Sequence, residues 1–343
     1  MLRQIRKAWR RRRASLLLAV AAVALIVAGS LAAARPGHLA HARGSVLSAV
    51  IDLARGGKVA RNRGLSLAAR VRPHVTVSLY EHSVRQATLR RQGCRAAKRG
   101  VSGIVILDFG QPAYNGHTYG TYLFSGRFVG NKAITRGLLA YGRGYVFCLR
   151  RGSHAHIALA RGTSNYRPQV PSAYKAGRKW ARETHALGRL LRRHGLEDHV
   201  SSAAADDVEP AWDRSFRQTR DFFRGYADAR TGDLLYNYGS LDGGVGGIWT
   251  AHQAFYVASG MRYSRALPEI YNRKMARQWA ALALAARRLY HRPLRFAGVL
   301  TTHQGNRFLK PRAAHRALVS ALASYMSAAP SVPPTVTNIR WSE

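Results

Sequence analysis

Between Gly103 and Met326, short apolar runs alternate with longer stretches of helical periodicity, and this alternation constrains the fold more than any other feature of the chain. Gly103–Phe109 (GIVILDF), His156–Ala160, Ser201–Glu209, Leu234–Tyr238, Ala254–Ala258, Leu267–Tyr271 and Phe296–Thr302 have strand length and strand composition. Between two of them, Ser172–His194 places Ala173, Ala176, Trp180, Thr184, Leu187 and Leu191 on one helical face. Ser215–Ala229 does the same with Phe216, Thr219, Phe223 and Tyr226, and 275–290 and 312–326 also read as helices. Strands separated by helices join in parallel. The expected fold class is therefore α/β, a (β/α) TIM-type barrel. It is expected to be irregular, because the strands near Ala254 and Leu267 leave little room for helices. No GxGxxG or P-loop follows any strand, so the main signal of a nucleotide site is missing.

The barrel stands behind a different kind of segment. Arg3, Arg6, Lys7 and Arg10–Arg13 precede Ala14–Ala34, which carries no charge. As a helix this stretch would rise ~30 Å, enough to cross a bilayer. It reads either as a transmembrane anchor or as a signal cleaved at an A-x-A-like site such as Ala40-His41-Ala42. The basic cluster stays inside in both cases, which puts the rest of the chain outside the cytoplasm, on the membrane or secreted. The expected organisation is 1–34 basic tail and anchor or signal, 35–100 basic stalk, 101–329 barrel and 330–343 tail.

Charge and cysteines narrow the chemistry. Lys and Arg number 55 against 16 Asp and Glu, a formal net charge of +39. Such a charge favours anionic polymers or lipid as partners, or is a solvated surface with an arginine bias. No helix-turn-helix, zinc-finger or RNP signature marks a specific nucleic-acid partner. Cys94 and Cys148 form either a disulfide of an exported protein or two unpaired small apolar residues. With no CxxC or HExxH spacing, neither a metal site nor a cofactor is expected.

The scarce acids fall at strand ends, where barrel enzymes place their chemistry. Asp108 closes the first strand, and Asp206, Asp207 and Glu209 close the third. Side chains two apart on a strand share a face, so Asp207 and Glu209 point one way and Asp206 the other. Two carboxylates on one face with Asp108 beside them suit acid/base work on a glycosidic bond, because like charge keeps one carboxyl protonated. Asp108, Asp207 and Glu209 are the expected catalytic residues. Asn165, Asp206, Tyr236, Tyr238, Asp242, Tyr256, Glu269 and Gln304 are the expected substrate-binding residues. The tyrosines, with Trp249, would form a floor for sugar rings.

Ile106–Pro112, Gly162–Tyr166, Asp206–Trp212, Tyr238–Ser240, Leu267–Asn272 and Gly298–Thr301 resemble an uncharacterised family of secreted bacterial glycoside-hydrolase-like barrel proteins. Asp108 with Asp207-x-Glu209 is similar to the Asp-x-Glu motif of bacterial muramidases. The resemblance implies a glycoside hydrolase acting on cell-wall or extracellular glycan, with Glu209 as general acid and Asp207 as its electrostatic partner. Two other functions are open: a barrel that binds glycan without cleaving it, and an electrostatic adaptor for anionic wall polymers.

Overall fold

The computed structural model describes residues 72–302 and 307–342. The segment Ala14–Ala34 lies outside them, as do His303 and Gln304. Among the described residues no helix is long and apolar enough to cross a membrane.

The fold is α/β. Its elements run β1 (His74–Tyr80), α1 (Gln86–Lys98), β2 (Gly103–Asp108), β3 (Gln111–Tyr114), β4 (Tyr119–Tyr122), β5 (Phe128–Gly130), α2 (Asn131–Phe147), β6 (Ile157–Ser164), α3 (Ala173–Arg193) and β7 (Val200–Asp207). They continue with α4 (Arg217–Asp228), β8 (Leu235–Asn237), α5 (Ala251–Phe255), a π-helical turn (Tyr256–Gly260), β9 (Ser264–Ala266), α6 (Arg273–Tyr290), β10 (Val299–Thr301), α7 (Pro311–Tyr325) and β11 (Thr335–Trp341). Eight strands form one parallel sheet in the order β10-β11-β1-β2-β6-β7-β8-β9. The sheet curls, and parallel bridges Ala266–Phe296 and Glu269–Leu300 connect its two edges. The arrangement is that of a TIM-like barrel.

The strands alternate between two environments because successive side chains face opposite sides. Ile104, Ile106, Ala160, Ala203, Ala205, Tyr236, Tyr238, Leu267, Leu300 and Ile339 fill the interior. Outside, two separate apolar layers sit under the helices, one mainly from α1–α4 and one mainly from α6 and α7. The helix α3 shows how the sequence encodes this. Ser172 caps its start by accepting from the Lys175 amide, and Ala176, Trp180, Thr184, Leu187 and Leu191 are buried along one face. Glycines set the closest helix contacts. A Cβ on Gly93 of α1 would lie 2.0 Å from the Tyr141 carbonyl oxygen of α2, and one on Gly177 of α3 would lie 2.0 Å from that of Phe222 in α4. Cys94 and Cys148 are joined as a disulfide, which ties α1 to the end of α2.

Three expectations change here. His74–Tyr80, placed in the stalk, is a strand of the sheet, and so is Thr335–Trp341, placed in the tail; they pair in parallel over their whole length. Ala254–Ala258 is helical, not a strand. Thr250 and Gln253 form a capping box that starts α5, and the π-helical turn follows. A three-stranded antiparallel sheet, β3-β4-β5, is inserted between β2 and α2 where no structure was expected.

Candidate functional site

The site forms at the C-terminal ends of the parallel strands. On β7, Ala203 and Ala205 face the interior while Ala204 and Val208 join the outer layer. That parity turns Asp207 and Glu209 inward and Asp206 outward. Glu269 arrives from the segment after β9, with its amide donating to the Gly239 carbonyl at 3.2 Å. Carboxylate oxygens of Asp207, Glu209 and Glu269 all lie within 4.8 Å of one another.

Two of the three members are held from behind. Asn165, after β6, donates to the Glu209 carbonyl at 3.1 Å and accepts from the Glu209 amide at 3.0 Å. Its Nδ2 also donates to the Thr219 hydroxyl of α4. The Tyr271 hydroxyl donates to Glu269. Asp207 is 6% exposed, yet its Oδ1 has no hydrogen-bond partner. The Asp242 carboxylate accepts from the Ala211 amide at 2.8 Å and the Ser240 hydroxyl at 2.9 Å, which joins the loops after β7 and β8.

Among the described residues no cationic side chain forms an ion pair with the cluster. The ion pairs among the described residues are His185–Asp233, Arg220–Asp221 and Arg224–Asp221, all elsewhere. Burial therefore acts without relief. It pushes Asp207 well above the usual carboxylate range, and the charges of Glu269, Glu209, Asp108 and Asp206 push it further. Burial, then Asp242, raises Glu209 to about 8. Glu269 is raised by burial, then by Glu209 and Asp242.

Asp108 is near this cluster but engaged differently. Its Oδ1 accepts from the Gly110 amide and its Oδ2 from the Tyr238 hydroxyl, both at 2.8 Å. Gly110 has φ +88°, and a Cβ there would meet the Tyr122 carbonyl oxygen at 2.4 Å, so this turn needs glycine. Burial raises Asp108 to about 7, and the two hydrogen bonds oppose that rise.

The remaining expected residues separate. Tyr236 is 5% exposed in the interior core, below Tyr238. Asp206 does not face the mouth. It lies against Asn165, Thr219 and Phe222 under α3 and α4, and burial raises it to about 8. Tyr256 sits on the π-helical turn with its ring 6.0 Å from Phe216, outside the barrel. Trp249 packs on Phe216 and donates to the Asp213 carbonyl at 2.7 Å. The tyrosine floor therefore does not form, because the run that carries Tyr256 is helical. Gln304 lies outside the described residues.

The sequence reading missed Tyr80. It ends β1, and its hydroxyl is held protonated by burial and by the charges of Asp207, Glu269, Asp108 and Glu209. Its ring lies 5.0 Å from Trp341 and 5.1 Å from Phe124 at the rim. The signal was present, since HVTVSLY is a strand ending in a polar aromatic, but its basic surroundings put it in the stalk. Glu269 was singled out for binding alone, and the structure makes it a full member of the carboxylate cluster.

No family model and no curated protein matches the chain. Among solved structures, the chain is similar to a protein from Labrenzia alexandrii DFL-11 described as a mandelate racemase/muconate lactonizing enzyme. The identity is 13% and the TM-score 0.29, over 84% of this chain and 61% of that one. The expectation of a glycoside hydrolase is corrected here. The likeness found is to a protein described as a racemase/lactonizing enzyme, not to a glycoside hydrolase. Asp108, the expected opposite partner, is tied to Tyr238 and Gly110.

Proposed function

We propose that the chain is a divalent-cation-dependent enzyme whose cation is held by Asp207, Glu209 and Glu269 at the mouth of the TIM-like barrel. The observation that carries this reading is the convergence of three carboxylates with oxygens within 4.8 Å, no ion pair to a basic side chain among the described residues, and one buried Asp207 oxygen unpartnered. Such repulsion is costly unless protons or a cation offset it. In a chain with 55 basic residues, an arginine partner would have been easy to supply.

The donor set selects the metal class. All-oxygen ligation suits Mg²⁺, Mn²⁺ or Ca²⁺ rather than zinc. The absence of Cys and His spacing therefore did not bear on this site. Three protein ligands leave coordination positions for water or substrate. The cation would polarise a substrate carboxylate, carbonyl or phosphoryl oxygen. Asn165 fixes the Glu209 backbone, Tyr271 orients Glu269, and the Tyr80 hydroxyl, held protonated beside the site, would offer a hydrogen bond to substrate. The disulfide supports the exported location expected from the first 34 residues, since such bonds persist in oxidising compartments.

The test is a titration of the full chain with Mg²⁺, Mn²⁺ and Ca²⁺, read by calorimetry and melting temperature. At least one should stabilise the protein, by about 2.7 kcal/mol at a hundred times its Kd. The double variant Asp207→Asn/Glu269→Gln should lose that response. No response to any of the three cations, or an equal response in the variant, overturns the proposal.

A further inference from the structure

A second concave site lies on the outside of the barrel, between α1 and the outer faces of β1 and β11. This cavity of about 90 Å³ has an apolar floor that includes Val77 and Leu79 of β1, and Arg95 and Arg99 of α1, Arg340 of β11 and Gln92 stand around it. One water needs about 10–15 Å³ of such space, so there is room for a polyatomic ligand.

The lining carries three guanidinium groups, and the nearest acid is the buried Glu81 carboxyl, bonded to Gln92 and close enough to feel the charge of Arg95. Arg95, Arg99 and Arg340 form no ion pair within 4 Å of a carboxylate among the described residues. They come from two elements that are far apart in sequence and meet only because β1 pairs with β11. A second observation is independent of charge. Gln92 is 4% exposed, its Nε2 donates to Glu81 at 3.4 Å, and its Oε1 has no partner. An amide can turn either its oxygen or its NH₂ toward a ligand. A buried amide left half satisfied at the wall of an arginine-lined cavity indicates a missing polar ligand.

We infer that this cavity binds a phosphate-class oxyanion, with the guanidinium groups of Arg95, Arg99 and Arg340 as its donors and the Gln92 amide at its wall. Guanidinium forks match the edges of a tetrahedral oxyanion, which a compact halide does not exploit. Free phosphate and a phosphodiester of an anionic polymer present the same oxygens. The site is separate from the carboxylate mouth and does not depend on the cation reading.

Binding of inorganic phosphate and of dimethyl phosphate to the full chain is measured by calorimetry, against chloride at equal ionic strength. Phosphate should bind saturably where chloride does not. Binding of the diester as well would point to a polymer-borne ligand, and binding of phosphate alone to a free one; both support the site. Arg95→Ala/Arg340→Ala should weaken binding by at least about tenfold, since each removed charged hydrogen bond is worth about that much. Arg95→Lys/Arg340→Lys keeps the charge and should recover only part of the affinity. Arg273→Ala, on exposed α6, should change nothing. Equal heats for phosphate and chloride overturn the inference. Unchanged phosphate affinity in the alanine variant, with its melting temperature kept, also overturns it.

Discussion

Two regions of the barrel bury charge and treat it in opposite ways. Behind β6, Arg161 is 0% exposed and has no carboxylate ion pair. Its Nη1 donates to Thr135 at 2.9 Å and its Nη2 to the Asn131 side chain at 2.6 Å, while the Asn131 carbonyl accepts from both. Trp180 lies 4.1 Å from the guanidinium carbon. Burial still lowers Arg161 to about 9, opposed by the charge of Glu183, which accepts from the same Thr135 hydroxyl, and dipoles and a ring face hold it in place. At the mouth, two buried carboxylates and a half-buried one face one another with little such solvation. The structural charge has partners for both terminal nitrogens and leaves only its Nε without one. What sets the mouth apart is the convergence of like charges on one another, which burial alone does not reveal.

The largest expected effect falls on the structural side. Trp180 is 2% exposed, so Trp180→Ala should cost about 3–5 kcal/mol in chemical denaturation. It should leave the affinity of the folded fraction for divalent cations unchanged; loss of that affinity would mean that the two regions are not independent. Glu81 comes next, as a buried acid whose nearest side-chain partner is a neutral amide. Burial raises it from 4.5 to about 7, the Gln92 and Ser342 hydrogen bonds lower it, and Asp108 raises it. The folded state thus holds this proton more tightly than the unfolded chain. Stability should fall as pH rises from about 4.5 to about 7 and stay low above that. Glu81→Gln should remove this part of the fall, worth at most roughly 3 kcal/mol at pH 8. A stability–pH curve identical in parent and variant would show that Glu81 is not buried as described. The smallest effect is expected at the mouth. Without cations, Asp207→Asn should raise stability by about 1–2 kcal/mol by relieving like-charge repulsion. A destabilised variant would place Asp207 with Arg161, among the charges whose partners are already built in.

Much of the fold was legible because the inner strands have apolar runs that a buried parallel sheet requires. Gly103–Phe109 and Ser201–Glu209 correspond closely to β2 and β7. The face of α3 was readable residue by residue. What failed has physical causes. A five-residue apolar run such as Ala254–Ala258 fits a strand or a helical turn equally well by period. The Thr250-x-x-Gln253 box just before it was the deciding signal. Asn115-Gly116, between β3 and β4, is a hairpin signature that was passed over because the flanking runs are rich in Tyr and Gly. His74–Tyr80 alternates as a strand should, but its basic surroundings assign it to a stalk, and β11 is hidden by its proline-rich surroundings, although neither touches their role in the sheet. At the site, strand parity placed Asp207 and Glu209 together from sequence alone. Glu269 could not be placed, because its approach depends on how the curled sheet meets itself at Leu300.

The two outer apolar layers described above give the carboxylate cluster a mechanical meaning. Asp207 and Glu209 leave a strand whose outer side chains, Ala204 and Val208, belong to the layer under α1–α4. Glu269 sits between Leu267 of the interior and Ile270, which belongs to the layer under α6 and α7. The three oxygens therefore straddle a seam between two halves with separate outer cores. A bound cation would act as a rivet across that seam, and its departure would leave the halves joined chiefly through the interior side chains and the strand pairing around them.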